Sequence, residues 1–97
     1  MRIKLMADYE CAPLWWDQAG RMGNIRPEEL NLSADLSFDL WAWASAYDAT
    51  LNRDDPISSG FKSESDQAAF RDQGERLVER LAAELGAGVA VRYHMAG

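Results

Sequence analysis

The sequence predicts an α+β fold, a two-layer sandwich in which a small, mostly antiparallel sheet packs against two helices. Apolar and polar residues alternate near both ends of the chain, which is the pattern of half-buried strands. Between these ends, two long segments carry apolar residues every three or four positions, the spacing of one helix face. The order strand, hairpin, helix, helix, strand then favours two packed layers.

Length and composition predict one domain over residues 1–97, with 47% hydrophobic and 27% charged residues. The net charge of −6 argues against binding to nucleic acid or to anionic membranes, and it favours a basic partner. The single cysteine excludes an internal disulfide, and the N-terminus does not have the pattern of a secretory signal. We therefore expect a cytoplasmic protein.

The N-terminal third is predicted to form strands. Alternation over Arg2–Tyr9 indicates a strand with Ile3 and Leu5 on its buried side. Leu14–Asp17 and Arg21–Ile25 can then form a hairpin, since Gly20 and Gly23 provide turn or bulge geometry.

The first long helix is predicted to begin after Ser33, a favourable N-cap, and a short helical turn over Arg26–Leu30 precedes it. The Asn52 and Asp54-Asp55-Pro56 run marks its end. The stripe predicted to be buried consists of Leu32, Leu36, Leu40, Trp43, Tyr47 and Leu51.

A second helix is predicted from the Ser63 cap to Gly86, and a last strand over Val89–Met95. Gly74 lies in the buried stripe of this helix, which indicates a close crossing by another element. Its outer face offers ion pairs at four-residue spacing, such as Arg80 with Glu84.

The two terminal strands are predicted to be neighbours, because neither can bury its apolar face alone. The outward face of the sheet would then carry Arg2, Lys4, Arg92 and His94. This set is either an ordinary solvated face or a basic patch on an acidic protein.

Two aromatic residues of the first helix do not fit its buried stripe. Phe38 and Trp41 are three positions apart and point away from Leu36 and Leu40. Either another segment, such as Trp15–Trp16, covers them, which we favour because large exposed apolar patches are uncommon, or they form an exposed contact surface.

No catalytic or metal-binding signature stands out. His94 and Cys11 are the only residues of their types, so a Cys–His site or a zinc site is not expected. The oxygen-rich stretch of Asn52, Asp54, Asp55, Ser58 and Ser59 does not have calcium-loop spacing. We therefore expect no catalytic residue, no metal and no cofactor.

Several short motifs resemble those of small, uncharacterised bacterial proteins of about this length, some of them found in toxin–immunity neighbourhoods. The motifs cover about the first two thirds of the chain: Ala7-Asp8-Tyr9, Pro13-Leu14-Trp15, Gly23-Asn24-Ile25, Trp43-Ala44, the Tyr47–Asn52 run, Asp55-Pro56 and Ser59-Gly60-Phe61. The resemblance implies an immunity association and assigns no catalytic residue.

The sequence therefore favours a non-catalytic interaction module, an immunity- or inhibitor-type binder of a basic protein. Phe38 and Trp41 would anchor the partner. The carboxylates expected to steer it are Asp35, Asp39, Asp48, Asp54 and Asp55.

Two alternatives stay open. One is a homodimer in which the Phe38 and Trp41 surfaces of two copies meet. The other is a small-ligand-binding or enzymatic domain, whose pocket would be lined by Trp15, Trp16, Tyr47, Asn52, Ser59 and Phe61.

Overall fold

The chain forms four short strands, one 3₁₀ turn and two helices within the part that the computed structural model describes, which is residues 1–51, 54 and 60–94. In chain order these are β1 (Arg2–Leu5), β2 (Leu14–Trp16), β3 (Asn24–Ile25), the 3₁₀ turn (Pro27–Glu29), α1 (Ala34–Asp48), α2 (Glu64–Leu85) and β4 (Ala90–Tyr93).

The four strands form one sheet in the order β3-β2-β1-β4. Strand β1 pairs antiparallel with β2, and β2 pairs antiparallel with β3. On its other side β1 pairs parallel with β4, with Arg2 opposite Ala90. A parallel pair needs a long crossover, which the segment containing α1 and α2 supplies. The predicted pairing of the terminal strands is confirmed, and the sheet is mixed with two antiparallel pairs.

Both helices cover the same face of the sheet, where the core lies. Alternation along the strands buries Ile3, Leu5 and Leu14 completely, and the helices add Leu36, Leu40, Trp43, Leu77 and Leu81 to this cluster. This arrangement confirms the predicted α+β fold, with a small sheet packed against two helices. Neither helix in the described part of the chain is long and apolar enough to cross a membrane.

The predicted helix starts are correct. The Ser33 hydroxyl accepts a hydrogen bond from the Leu36 amide at 3.2 Å, and Ser63 accepts one from Asp66 at 3.1 Å. Each bond satisfies one of the amides that a helix N-terminus leaves without a partner. Helix α2 ends at Gly86, whose positive φ of 82° suits a residue without a side chain.

Three element ends differ from the prediction. Strand β1 stops at Leu5, and the chain turns later, at Glu10, which has a φ of 61°. Strand β4 covers Ala90–Tyr93, and Met95 lies outside the described residues. Helix α1 ends at Asp48 and does not reach Leu51.

The early end of α1 has a local cause. Thr50 donates both its amide and its hydroxyl to the carbonyl of Tyr47, at 3.0 and 2.7 Å. Threonine side chains compete in this way with the helical hydrogen-bond pattern. The residues predicted to end the helix, Asn52, Asp55 and Pro56, lie outside the part that the structure describes.

Arg80 and Glu84, which were predicted to pair with each other, also make contacts between the two helices, and the charge of Arg80 helps to lower the pKa of Glu84. Arg80 forms an ion pair with Asp39 of α1 at 2.6 Å. Glu84 accepts hydrogen bonds from the amide and hydroxyl of Ser33, at 2.6 and 2.7 Å. These contacts fix the start of α1 against the end of α2.

Candidate partner-binding surface on helix α1

Helix α1 carries apolar residues on the side that faces solvent as well as on the side that faces the core. The Phe38 side chain is 73% exposed, although the same helix buries Leu36, Leu40 and Trp43. Its neighbours one turn away are Ala34 and Ala42, which are also exposed and too small to cover the ring. Phe38 therefore projects from an uncovered helix face.

Trp41, the second aromatic residue of this surface, is half-buried and held by the 3₁₀ turn. Its indole N–H donates a hydrogen bond to Oε1 of Glu28, and the hydroxyl of Ser37 donates to the same oxygen at 3.5 Å. The bond from Trp41 is the main reason that the pKa of Glu28 lies below its usual value. No sequence pattern marked Glu28, because its partner lies 13 positions away.

The covering that we favoured from the sequence is wrong for Phe38, which stays exposed, whereas Trp41 is partly covered by the 3₁₀ turn. Trp15 lies beside Lys4 on the outer face of the sheet, where its indole donates to the Met6 carbonyl at 3.0 Å. Trp16 points to the opposite, inner face, and the Arg21 guanidinium lies 3.8 Å from the centroid of its ring.

The three aspartates of α1 differ in their contacts. Asp35 is exposed in the first turn, where the helix dipole favours a negative charge. Asp39 is paired with Arg80 between the helices, and Asp48 accepts a hydrogen bond from the Glu10 amide at 2.9 Å. Asp39 and Asp48 thus also have structural contacts.

The other two predicted steering residues follow the helix. Asp54 is exposed, and Asp55 lies outside the described residues. Helix α1 itself contains no lysine or arginine, so its solvent side combines apolar surface with negative charge. The structure therefore brings Phe38, Trp41 and Asp35 onto one exposed helix.

An aromatic cluster lies at the C-terminal end of α1. Tyr47 stacks on Tyr9 with ring centroids 4.6 Å apart, and it meets Phe61 edge-on at 6.4 Å. Phe61 in turn contacts Phe70 of α2 at 5.0 Å. These rings pack against one another, and burial raises the pKa of the Tyr47 hydroxyl.

The proposed alternative pocket is therefore only partly assembled. The rings of Tyr47 and Phe61 are in contact, but Trp15 lies on the opposite side of the sheet from them. Asn52 and Ser59 lie outside the residues that the structure describes.

The outer face of the sheet carries the predicted basic residues together with a carboxylate that the sequence reasoning missed. Arg92 forms an ion pair with Asp17 at 2.5 Å, and this contact lowers the pKa of Asp17. Lys4 lies beside Arg92 in the sheet register. Asp17 thus neutralises part of the positive charge on this face.

The lone cysteine and histidine have different surroundings. Burial and the nearby carboxylates of Asp8 and Asp48 raise the pKa of Cys11, which disfavours the nucleophilic thiolate. His94 lies on the sheet, with Nδ1 3.5 Å from an Arg92 nitrogen. Among the described residues, no three His, Cys, Asp or Glu side chains are grouped so that they could hold a metal ion.

One comparison with known proteins covers almost the whole chain. The model of a family described as Serratia CdiI immunity protein-like matches residues 1–96. None of the curated proteins matches significantly. The family match supports the toxin–immunity association that the short motifs implied, and it extends beyond the first two thirds of the chain.

Proposed function

This protein belongs to the Serratia CdiI immunity protein-like family, and we propose that it neutralises a toxin by binding it through the outer face of α1. The observation that carries this proposal is the 73% exposure of Phe38 beside Trp41, on the side of α1 opposite its buried residues. Exposed aromatic residues are frequent energetic centres of protein interfaces. Binding alone, without catalysis, would be sufficient for this activity.

The toxin surface that fits α1 is basic. The helix carries three aspartates and no basic residue, and the whole chain has a net charge of −6. Asp35 would contribute most to steering because Asp39 is already paired with Arg80. Asp48 would add to the negative field at the other end of the helix, and Asp54 and Asp55, which follow it in the sequence, complete the set of carboxylates that we propose to steer the toxin.

We assign this binding to the cytoplasm. The single cysteine offers no disulfide that would require an oxidising compartment, and the negative charge disfavours anionic membrane surfaces and nucleic acid as partners.

The test compares two exposed apolar side chains. Phe38→Ala and Met22→Ala are matched, because Met22 is 93% exposed and belongs to the β2–β3 hairpin, not to α1. Affinity is measured by calorimetry with a toxin domain that the wild-type protein neutralises. We expect Phe38→Ala to weaken binding by about 2 kcal/mol or more, roughly 30-fold, while Met22→Ala has little effect.

Urea unfolding of both variants provides the control, since an exposed residue should change stability by less than about 0.5 kcal/mol. Equal affinities for the two variants would rule out α1 as the binding face. If wild-type protein alone sediments as a dimer that Phe38→Ala dissociates, the surface is instead a contact between two copies of the chain.

A further inference from the structure

We propose that Trp41 and Glu28 together form a binding site for one arginine side chain of the toxin. In this site the guanidinium stacks on the indole ring and donates hydrogen bonds to the carboxylate. The inference rests on the proposed function, because it specifies which chemical group of the partner the α1 surface recognises.

The two side chains are already held in position. The indole N–H of Trp41 donates to Glu28, so the orientation of the ring is fixed from its edge. Glu28 belongs to a turn whose Pro27 is fully buried and whose Leu30 amide donates to the Pro27 carbonyl at 3.1 Å. A site fixed before binding loses less conformational entropy when the ligand arrives.

The carboxylate has acceptor capacity left for a partner. The side-chain donors Trp41 and Ser37 use the same oxygen, Oε1, and the backbone amide of Glu28 itself also donates to the carboxylate. A carboxylate offers about four acceptor positions on its two oxygens. Since Glu28 is exposed, a donor from another protein can reach the remaining positions.

The indole ring suits a cation. Tryptophan has the strongest cation–π attraction of the aromatic side chains. Donation of the indole N–H to a carboxylate polarises the ring in the direction that favours a cation on its face. Arginine fits better than lysine, because its planar guanidinium can stack and present two parallel N–H groups at the same time.

The same chain already contains one guanidinium stacked on an indole. Arg21 lies 3.8 Å from the ring centroid of Trp16. No corresponding cation lies over Trp41 in the described part of the chain. Arg26 is close enough to lower the pKa of Glu28 by its charge, but it pairs with Glu29 at 3.9 Å.

The test uses conservative variants and the same toxin domain as the test of the α1 surface. Glu28→Gln keeps an acceptor for Trp41 but removes the charge, and Trp41→Phe keeps a ring but removes the N–H. Glu79→Gln, an exposed glutamate on α2, is the matched control. We expect the first two to weaken binding about tenfold or more, with the Glu28 effect decreasing at high salt, and the control to change it less than twofold.

A double-mutant cycle identifies the ligand. Each toxin arginine is changed to lysine, and its affinity for wild-type protein and for Glu28→Gln is measured. For one arginine, the change to lysine should weaken binding to wild-type protein but not to Glu28→Gln, because the two residues contribute to affinity through the same contact. The Trp41 indole N–H resonance should also shift when toxin is added.

The outcomes separate this inference from the proposed function. If Phe38→Ala weakens binding but Glu28→Gln and Trp41→Phe do not, the proposal that α1 binds the toxin is supported and the proposed arginine site is wrong. If Phe38→Ala also has no effect, the proposed surface itself is wrong. Weakening by Glu28→Gln without coupling to any toxin arginine would likewise overturn the inference.

Discussion

Tyr93 of β4 packs directly on Gly74 of α2. A β-carbon at residue 74 would lie 2.0 Å from Cε2 of the Tyr93 ring, far inside van der Waals contact. The ring also meets Trp43 edge-on, with centroids 6.0 Å apart. The glycine in the middle of a helix is therefore explained by the close approach of the sheet, as the sequence indicated.

Gly74→Ala should destabilise the protein. Alanine favours a helix interior by about 1 kcal/mol, but the added methyl group displaces a packed ring, which costs about 1–3 kcal/mol. In a Tyr93→Ala background the same change should become stabilising, because the ring is gone. Denaturant midpoints measure both effects, and Gly88→Ala, where nothing lies within 4 Å, is the control. A stabilising Gly74→Ala in the wild-type background would contradict this packing.

Leu81→Ala and Trp43→Ala should each cost about 2–5 kcal/mol in unfolding free energy. Leu81 is 0% exposed and Trp43 is 1% exposed. Trp43 additionally stacks on Phe70 at 4.4 Å and donates to its carbonyl at 3.0 Å. Urea unfolding measures the cost, with Met22→Ala as the exposed control. A loss below about 1 kcal/mol at either position would mean that its side chain is not in the core.

Glu84 should make stability depend on pH in the acid range. Hydrogen bonds from the amide and then the hydroxyl of Ser33 lower its pKa in the folded state. Its contribution is therefore complete above about pH 4.3, the ordinary value, and is lost as the pH falls through the lower folded-state pKa. Glu84→Gln should reduce the acid slope of the unfolding free energy.

Part of the dependence of the unfolding free energy on acid pH should remain in Glu84→Gln. The pKa values of Glu28 and Asp17 are also lowered, by hydrogen bonds from Trp41 and Arg92 respectively. A variant with the same acid slope as wild-type protein would show that the Glu84–Ser33 contact does not form in solution.

A chelator should leave the thermal midpoint unchanged. The sequence shows no calcium-loop spacing, and a folded state that needed a metal would lose stability when the ion was removed. Thermal unfolding with and without EDTA measures this. A drop of many degrees would indicate an ion bound near Asp54.

Local patterns predicted most of the fold. The caps at Ser33 and Ser63 and the end at Gly86 depend on neighbouring residues only, so the sequence was sufficient to predict them. Alternation in the terminal strands likewise predicted that they would pair. The early end of α1 was missed because Thr50 offers a side-chain bond that competes with the helix.

The candidate surface was harder to predict, since it depends on what packs around it. The helical phase placed Phe38 and Trp41 away from the core, but it could not show whether another segment covers them. The partners of Trp41 and Asp39 are Glu28 and Arg80, which lie 13 and 41 positions away. The spacing of apolar residues along the sequence contains no information about contacts between residues that are far apart in the chain.

The position of β1 between β2 and β4 affects how the protein is made. Its partner Ala90 is far from Arg2 in the sequence, so the sheet cannot be completed until residue 90 has left the ribosome. At about 5–20 residues per second, β1 keeps an unpaired edge for several seconds in each new molecule. During this interval the nascent chain is open to strand addition by other chains. Any truncation that removes β4 would make this transient edge permanent.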